Sequence, residues 1–148
     1  MAGGLARHAK IWSVVGFSTE FWKREHWRTL GFASVDDFQQ SFMEPYFAAM
    51  DPNDLLRMAW KWQRGDVSRN TGGDLAAALG RITATTFVMR SMRHVLPVRD
   101  CAEEQAMIPG SELRVIASIS GHRGLFGIEP EYMQQVDRHL GELLATSV

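Results

Sequence analysis

Leu113-Arg114-Val115-Ile116-Ala117-Ser118-Ile119 is the stretch on which the fold turns. Its β-branched and aliphatic run, bounded by polar residues, reads as a strand. Thr85-Thr86-Phe87-Val88-Met89 has the same character and reads as an earlier strand. Arg99 to Met107 lies between them with a helical pattern. Glu129 to Ala145 follows as a long helix, with Tyr132, Met133, Val136, Leu140, Leu143 and Leu144 on its apolar side. Strand, helix, strand, helix predicts a right-handed crossover joining two parallel strands. Parallel sheets are covered by helices on both faces and usually hold more than two strands. No third strand is read in the chain. The expected fold class is therefore α/β with most of its sheet missing: a fragment, or a subunit that completes a partner's sheet.

Upstream the chain reads as helices. Leu5 to Trp12 is the first, with Leu5, Ile11 and Trp12 apolar. Ser18 is an N-cap candidate for a second helix through Phe21, Trp22, Trp27 and Leu30, stopped by Gly31. Ser34 caps a third, with Asp36 and Asp37 in its first turn and Val35, Phe38, Phe42, Tyr46 and Phe47 at helical spacing. Asp51-Pro52 starts a fourth, striped by Leu55, Met58, Ala59 and Trp62 and ended by Gly65-Asp66. Asp74 to Gly80 is a short helix. The density of aromatic residues in this half fits a packed core, or the lining of an apolar pocket.

Composition narrows the function. The 148 residues are 45% hydrophobic and 22% charged with a net charge of −1, a globular profile that points to neither nucleic acid nor an acidic membrane. Cys101 is the single cysteine, so neither a disulfide framework nor a multi-cysteine metal site is expected, which fits a cytoplasmic location. No apolar run approaches the roughly 20 residues of a membrane span. His8, His26 and His139 lack metal-ligand spacing. Asp66 and Asp74, flanking Gly72-Gly73, read as turn or N-cap residues.

Three stretches carry a resemblance: Trp60-Lys61-Trp62-Gln63-Arg64-Gly65-Asp66-Val67-Ser68, then Gly73-Asp74-Leu75 through Ile82-Thr83-Ala84, and Ile108 to Ile116 running into Gly121-His122. Together they resemble homoserine O-acetyltransferase-like members of the α/β-hydrolase superfamily, over essentially the whole chain. The resemblance implies a partial α/β-hydrolase fold. Residues 1–72 would be a helical lid, and 73–148 the last two parallel strands with their flanking helices. The parent activity would be acyl transfer from an acyl-CoA to a hydroxyl such as that of homoserine, a step of methionine biosynthesis, through a Ser-His-Asp triad. The alternatives are an esterase fragment, because the same triad serves hydrolysis, and a non-catalytic binding or pseudogene product. Acetyl-CoA would be a substrate, with no cofactor and no metal. A small molecule would be the partner, and by family analogy a homo-oligomer or a full-length relative.

The resemblance places the triad unevenly. The superfamily's serine lies in a Gly-x-Ser-x-Gly elbow, and the chain contains none; Gly16-Phe17-Ser18-Thr19-Glu20 comes nearest. His122, in Ser120-Gly121-His122-Arg123-Gly124 after the second strand, aligns with the general base. The acid should follow the first strand, yet Arg90-Ser91-Met92-Arg93-His94-Val95-Leu96-Pro97 holds no carboxylate and is one residue short of the family pattern. His94 to Pro97 can be encoded by bases that, in a shifted frame, spell aspartate, methionine, two phenylalanines and proline. An out-of-frame run over about residues 90–96 would explain the loss. Asp100 is the substitute acid candidate, at the start of a helix where the dipole already favours a carboxylate. Without nucleophile and acid, the chain alone is expected to be inactive.

Overall fold

A computed structural model describes residues 2–91 and 98–146. The chain divides into two compact units, residues 1–65 and 66–148.

The first unit is helical: α1 (Ala2–Val15), α2 (Thr19–Lys23), a 3-10 turn at His26–Arg28, α3 (Val35–Phe38), a π turn at Gln39–Met43, α4 (Glu44–Ala48) and α5 (Pro52–Arg64). Three of its starts are chemical. The Ser18, Ser34 and Asp51 side chains accept from the backbone N–H groups of Phe21, Asp37 and Asn53. The helix expected from Ser18 to Leu30 is broken. α2 ends at Lys23, and Glu25 turns into the left-handed region at φ 48°. Packing explains the break. Side chains six residues apart on one unbroken helix point about 120° apart, whereas the turn lets both Phe21 and Trp27 be buried.

Pro45, in the first turn of α4, brings no N–H, and the ladder widens into the π turn immediately before it. Phe17, Phe21, Phe38 and Phe47 are buried, with Phe17 and Phe21 ring centroids 4.3 Å apart. Replacing Ser34 by alanine, which removes the acceptor 3.0 Å from the Asp37 N–H, is expected to cost about 1 kcal/mol, read as a lower urea midpoint.

The stripe predicted on α5 is not buried. The helix holds no buried residue, and Trp62 is 69% exposed.

The second unit contains a 3-10 turn at Val67–Thr71, α6 (Leu75–Leu79), β1 (Phe87–Ser91), α7 (Val98–Ala106), β2 (Glu112–Ile116), a 3-10 turn at Gly121–Phe126 and α8 (Pro130–Leu144). β1 and β2 are parallel, paired from Phe87 with Glu112 through Ser91 with Ile116. The parallel pairing is the one that the strand-helix-strand order predicts, and the chain is α/β with a small two-stranded sheet.

β1 runs two residues later than the Thr85–Met89 run implies and takes in Arg90 and Ser91, both buried. β2 stops at Ile116 rather than Ile119, because the backbone beyond it bonds to side chains of α8 instead of a strand. On α8, Tyr132 is buried as expected, while Leu140 and Leu144 are exposed. No described helix is long and apolar enough to cross a membrane.

Candidate catalytic-base site

β2 leads into Ala117 to Ser120 and then into the 3-10 turn that carries His122. A strand's backbone polar groups must find partners once its ladder ends. Here α8 supplies them. Gln135 copies a strand's backbone: its Oε1 accepts from Ala117 N–H at 3.0 Å and its Nε2 donates to the Ala117 carbonyl at 3.1 Å.

Glu129 takes the next two residues. Its Oε1 accepts from Ile119 N–H at 3.2 Å, and its Oε2 accepts from Ser120 N–H at 3.1 Å and from Ser118 Oγ at 2.7 Å. Ser118 Oγ in turn accepts from Ser120 N–H at 3.1 Å.

Glu129 is the N-cap residue of α8, directly before Pro130, but its side chain does not cap its own helix. It is buried and turned back onto the loop. Gly124 completes the seat: a Cβ there would lie 3.0 Å from Tyr132 Cδ2 and 3.1 Å from Ser118 Oγ. Gly127, at φ 75°, ends the turn.

On this seat His122 is half-buried, its ring 6.1 Å from that of Phe126 at 66°. Burial, and then the positive charge of Arg123, push the His122 imidazole below its ordinary 6.5. Both effects favour the neutral ring, the form a general base requires. Burial, with the Glu129 carboxylate nearby, raises the Tyr132 phenol.

A titration of His122 ring resonances is expected to show a midpoint below 6.5. The sign for stability follows: the unfolded chain binds the proton more readily, so this residue lowers folding stability as pH falls below 6.5. A midpoint at or above 6.5 would contradict the seat described.

The other sequence candidates fall elsewhere. Asp100 is exposed in the first turn of α7. The out-of-frame expectation over residues 90–96 lies mostly outside the described residues, apart from Arg90 and Ser91. Asp66 and Asp74 are caps, accepting from Ser68 N–H and Ala77 N–H at 2.9 Å each. Hydrogen bonds from Ser68 hold the Asp66 carboxyl below its usual range.

His8 packs edge-on against Phe47 at 4.8 Å, and His139 lies buried with Nδ1 3.8 Å from Glu142. Sequence reasoning missed Glu129, Ser118 and Gln135. The available signal was a glutamate where a short capping side chain is usual, just before a proline.

Known proteins match this chain closely. It is 58% identical over 144 residues to a probable esterase of Corynebacterium glutamicum, covering 97% of this chain and 41% of the relative. It is 56% identical over 147 residues to an ethyl acetate hydrolase of Pseudomonas veronii, covering 99% and 42%. Among solved structures it superposes on an acetylester hydrolase from C. glutamicum with a TM-score of 0.95 at 57% identity, over 98% of this chain and 42% of that one. It superposes on the acetyl esterase MekB with a TM-score of 0.94 at 56% identity. No family model matches.

The chain thus spans about two fifths of the length of the curated relatives it matches. Their names favour the hydrolase alternative over acyl transfer to homoserine, which the resemblance had put first. The two chemistries share a triad, and only the acceptor of the acyl group differs. By sequence and structure, the chain is similar to part of proteins named as an esterase and as acetylester hydrolases.

Proposed function

We propose that this chain is the base-bearing part of a serine esterase that hydrolyses small acetyl esters. The observation that carries the reading is the seat of His122: a half-buried imidazole on a turn braced from the start of α8, in the connection that follows the second parallel strand. In open α/β folds, catalytic groups gather beyond the carboxyl ends of the strands.

In this reading His122 takes the proton from a serine hydroxyl as the oxygen attacks the ester carbonyl. It returns that proton to the departing alkoxide, then repeats the exchange with water to release acetate. No Gly-x-Ser-x-Gly elbow occurs in the 148 residues, so this reading takes the serine and the oxyanion donors from a further segment. Hydrolysis is favoured over acyl transfer because the relatives are named for it.

A chimera tests the proposal. Residues 1–148 replace the matching part of the C. glutamicum acetylester hydrolase, once unchanged and once with aspartate, methionine, two phenylalanines and proline in place of His94 to Pro97. The repaired chimera is expected to hydrolyse p-nitrophenyl acetate, and the unrepaired one to be far slower. A repaired chimera that melts cooperatively and yet is inert would sink the reading.

A further inference from the structure

We propose that Glu129 is a positioning residue for His122, acting through the backbone of residues 118–120. The inference rests on His122 being the base, and it deepens that assignment. Three acceptor contacts on one buried carboxylate converge within the three residues that precede Gly121-His122: Ser118 Oγ, Ile119 N–H and Ser120 N–H, at 2.7, 3.2 and 3.1 Å.

Two backbone donors in succession, aimed at one carboxylate, fix the direction in which the chain leaves β2. Hydrogen bonds to an ionised acceptor are the strong class. Glu129 is itself anchored, because its carbonyl accepts from Tyr132 N–H at 3.1 Å as α8 begins. The clamp therefore ties the aim of the turn to the first turn of α8. Tyr132 and Ser118 both lie close to Gly124, 3.0 and 3.1 Å from where a Cβ would sit.

A helix cap would use this side chain differently, accepting from N–H groups of its own helix. Glu129 makes no such bond. Among the described residues, the charge of Arg123 acts on His122 and that of Glu129 on the Tyr132 phenol.

The experiment uses the 148-residue chain labelled with 15N and 13C, as wild type, Glu129→Gln and Ser118→Ala. Amide hydrogen exchange is followed at Ile119 and Ser120, and the His122 ring resonances are titrated. In Glu129→Gln the two amides are expected to exchange about tenfold faster or more, while amides in the middle of α8 keep their rates. The His122 midpoint is expected to rise towards 6.5 as the ring gains water.

The direction separates two roles. A carboxylate that acted on His122 by its charge alone would, when neutralised, lower the midpoint. Ser118→Ala is expected to move both readouts the same way by less, and it carries the test if Glu129→Gln does not fold. A folded variant whose His122 midpoint stays put or falls would overturn the proposal.

No substrate enters this measurement. A raised midpoint with an inert repaired chimera removes the esterase reading and leaves the clamp. An active chimera with an unmoved midpoint does the reverse.

Discussion

Replacing His122 by alanine in the repaired chimera is expected to lower the rate of p-nitrophenyl acetate hydrolysis by about a thousandfold or more. The size follows from the role. A serine hydroxyl is a poor nucleophile until an adjacent base takes its proton, and removing the base disables the unit rather than one contact in it. The loss should appear in kcat/KM with little change in melting temperature. His122 lies in a 3-10 turn outside the helices and strands, and its ring is only half-buried. A wild-type rate that stays high to below pH 6.5 would agree with the depressed imidazole. A variant within tenfold of the parent would mean that another group serves as base.

Replacing Arg90 by leucine is expected to stabilise the chain, by about 1–4 kcal/mol on the scale seen when buried charges give way to apolar side chains. Arg90 sits in β1 opposite Val115 and is 6% exposed. Among the described residues its guanidinium donates to the carbonyl of its neighbour Ser91, and its Nε finds no hydrogen-bond partner. The buried Ser91 hydroxyl finds none either.

Strands of parallel sheets are ordinarily apolar on both faces, and a charge placed there without a carboxylate is expensive. Both residues fall at the start of the run, about residues 90–96, for which an out-of-frame reading was the expectation. Urea unfolding measures the change, with a higher midpoint at unchanged slope expected. A lower midpoint would show that the guanidinium meets an acceptor worth keeping.

What was legible in the sequence was mostly local. Ser18, Ser34, Asp51 and Asp74 announce helix starts because a cap is a contact between near neighbours. The β-branched centre of β2 and the crossover between parallel strands could be read from pattern and order. The break at Glu25 could not, because it answers to the burial of Phe21 and Trp27 together. Nor could the end of β1, where Arg90 and Ser91 contradict the strand they occupy.

His122 became a candidate base through likeness to a family. The likeness could not tell transfer from hydrolysis, because no residue choosing the acyl acceptor was identified in the chain. Glu129 was missed because its role exists only once α8 folds back on the turn, ten residues after Ile119.

The close approach at Gly124 has an evolutionary consequence. With Tyr132 Cδ2 and Ser118 Oγ 3.0 and 3.1 Å from where a Cβ would sit, any side chain at position 124 makes these neighbours give way by a few tenths of an ångström. A side chain there is eased by a smaller residue at 132 or a different one at 118, and a change at 118 alters what Glu129 holds. Ser118, Ser120, Gly124, Glu129, Tyr132 and Gln135 should therefore be inherited as a set. In an alignment of relatives they would covary at these spacings, whereas an exposed position such as Leu144 would vary alone.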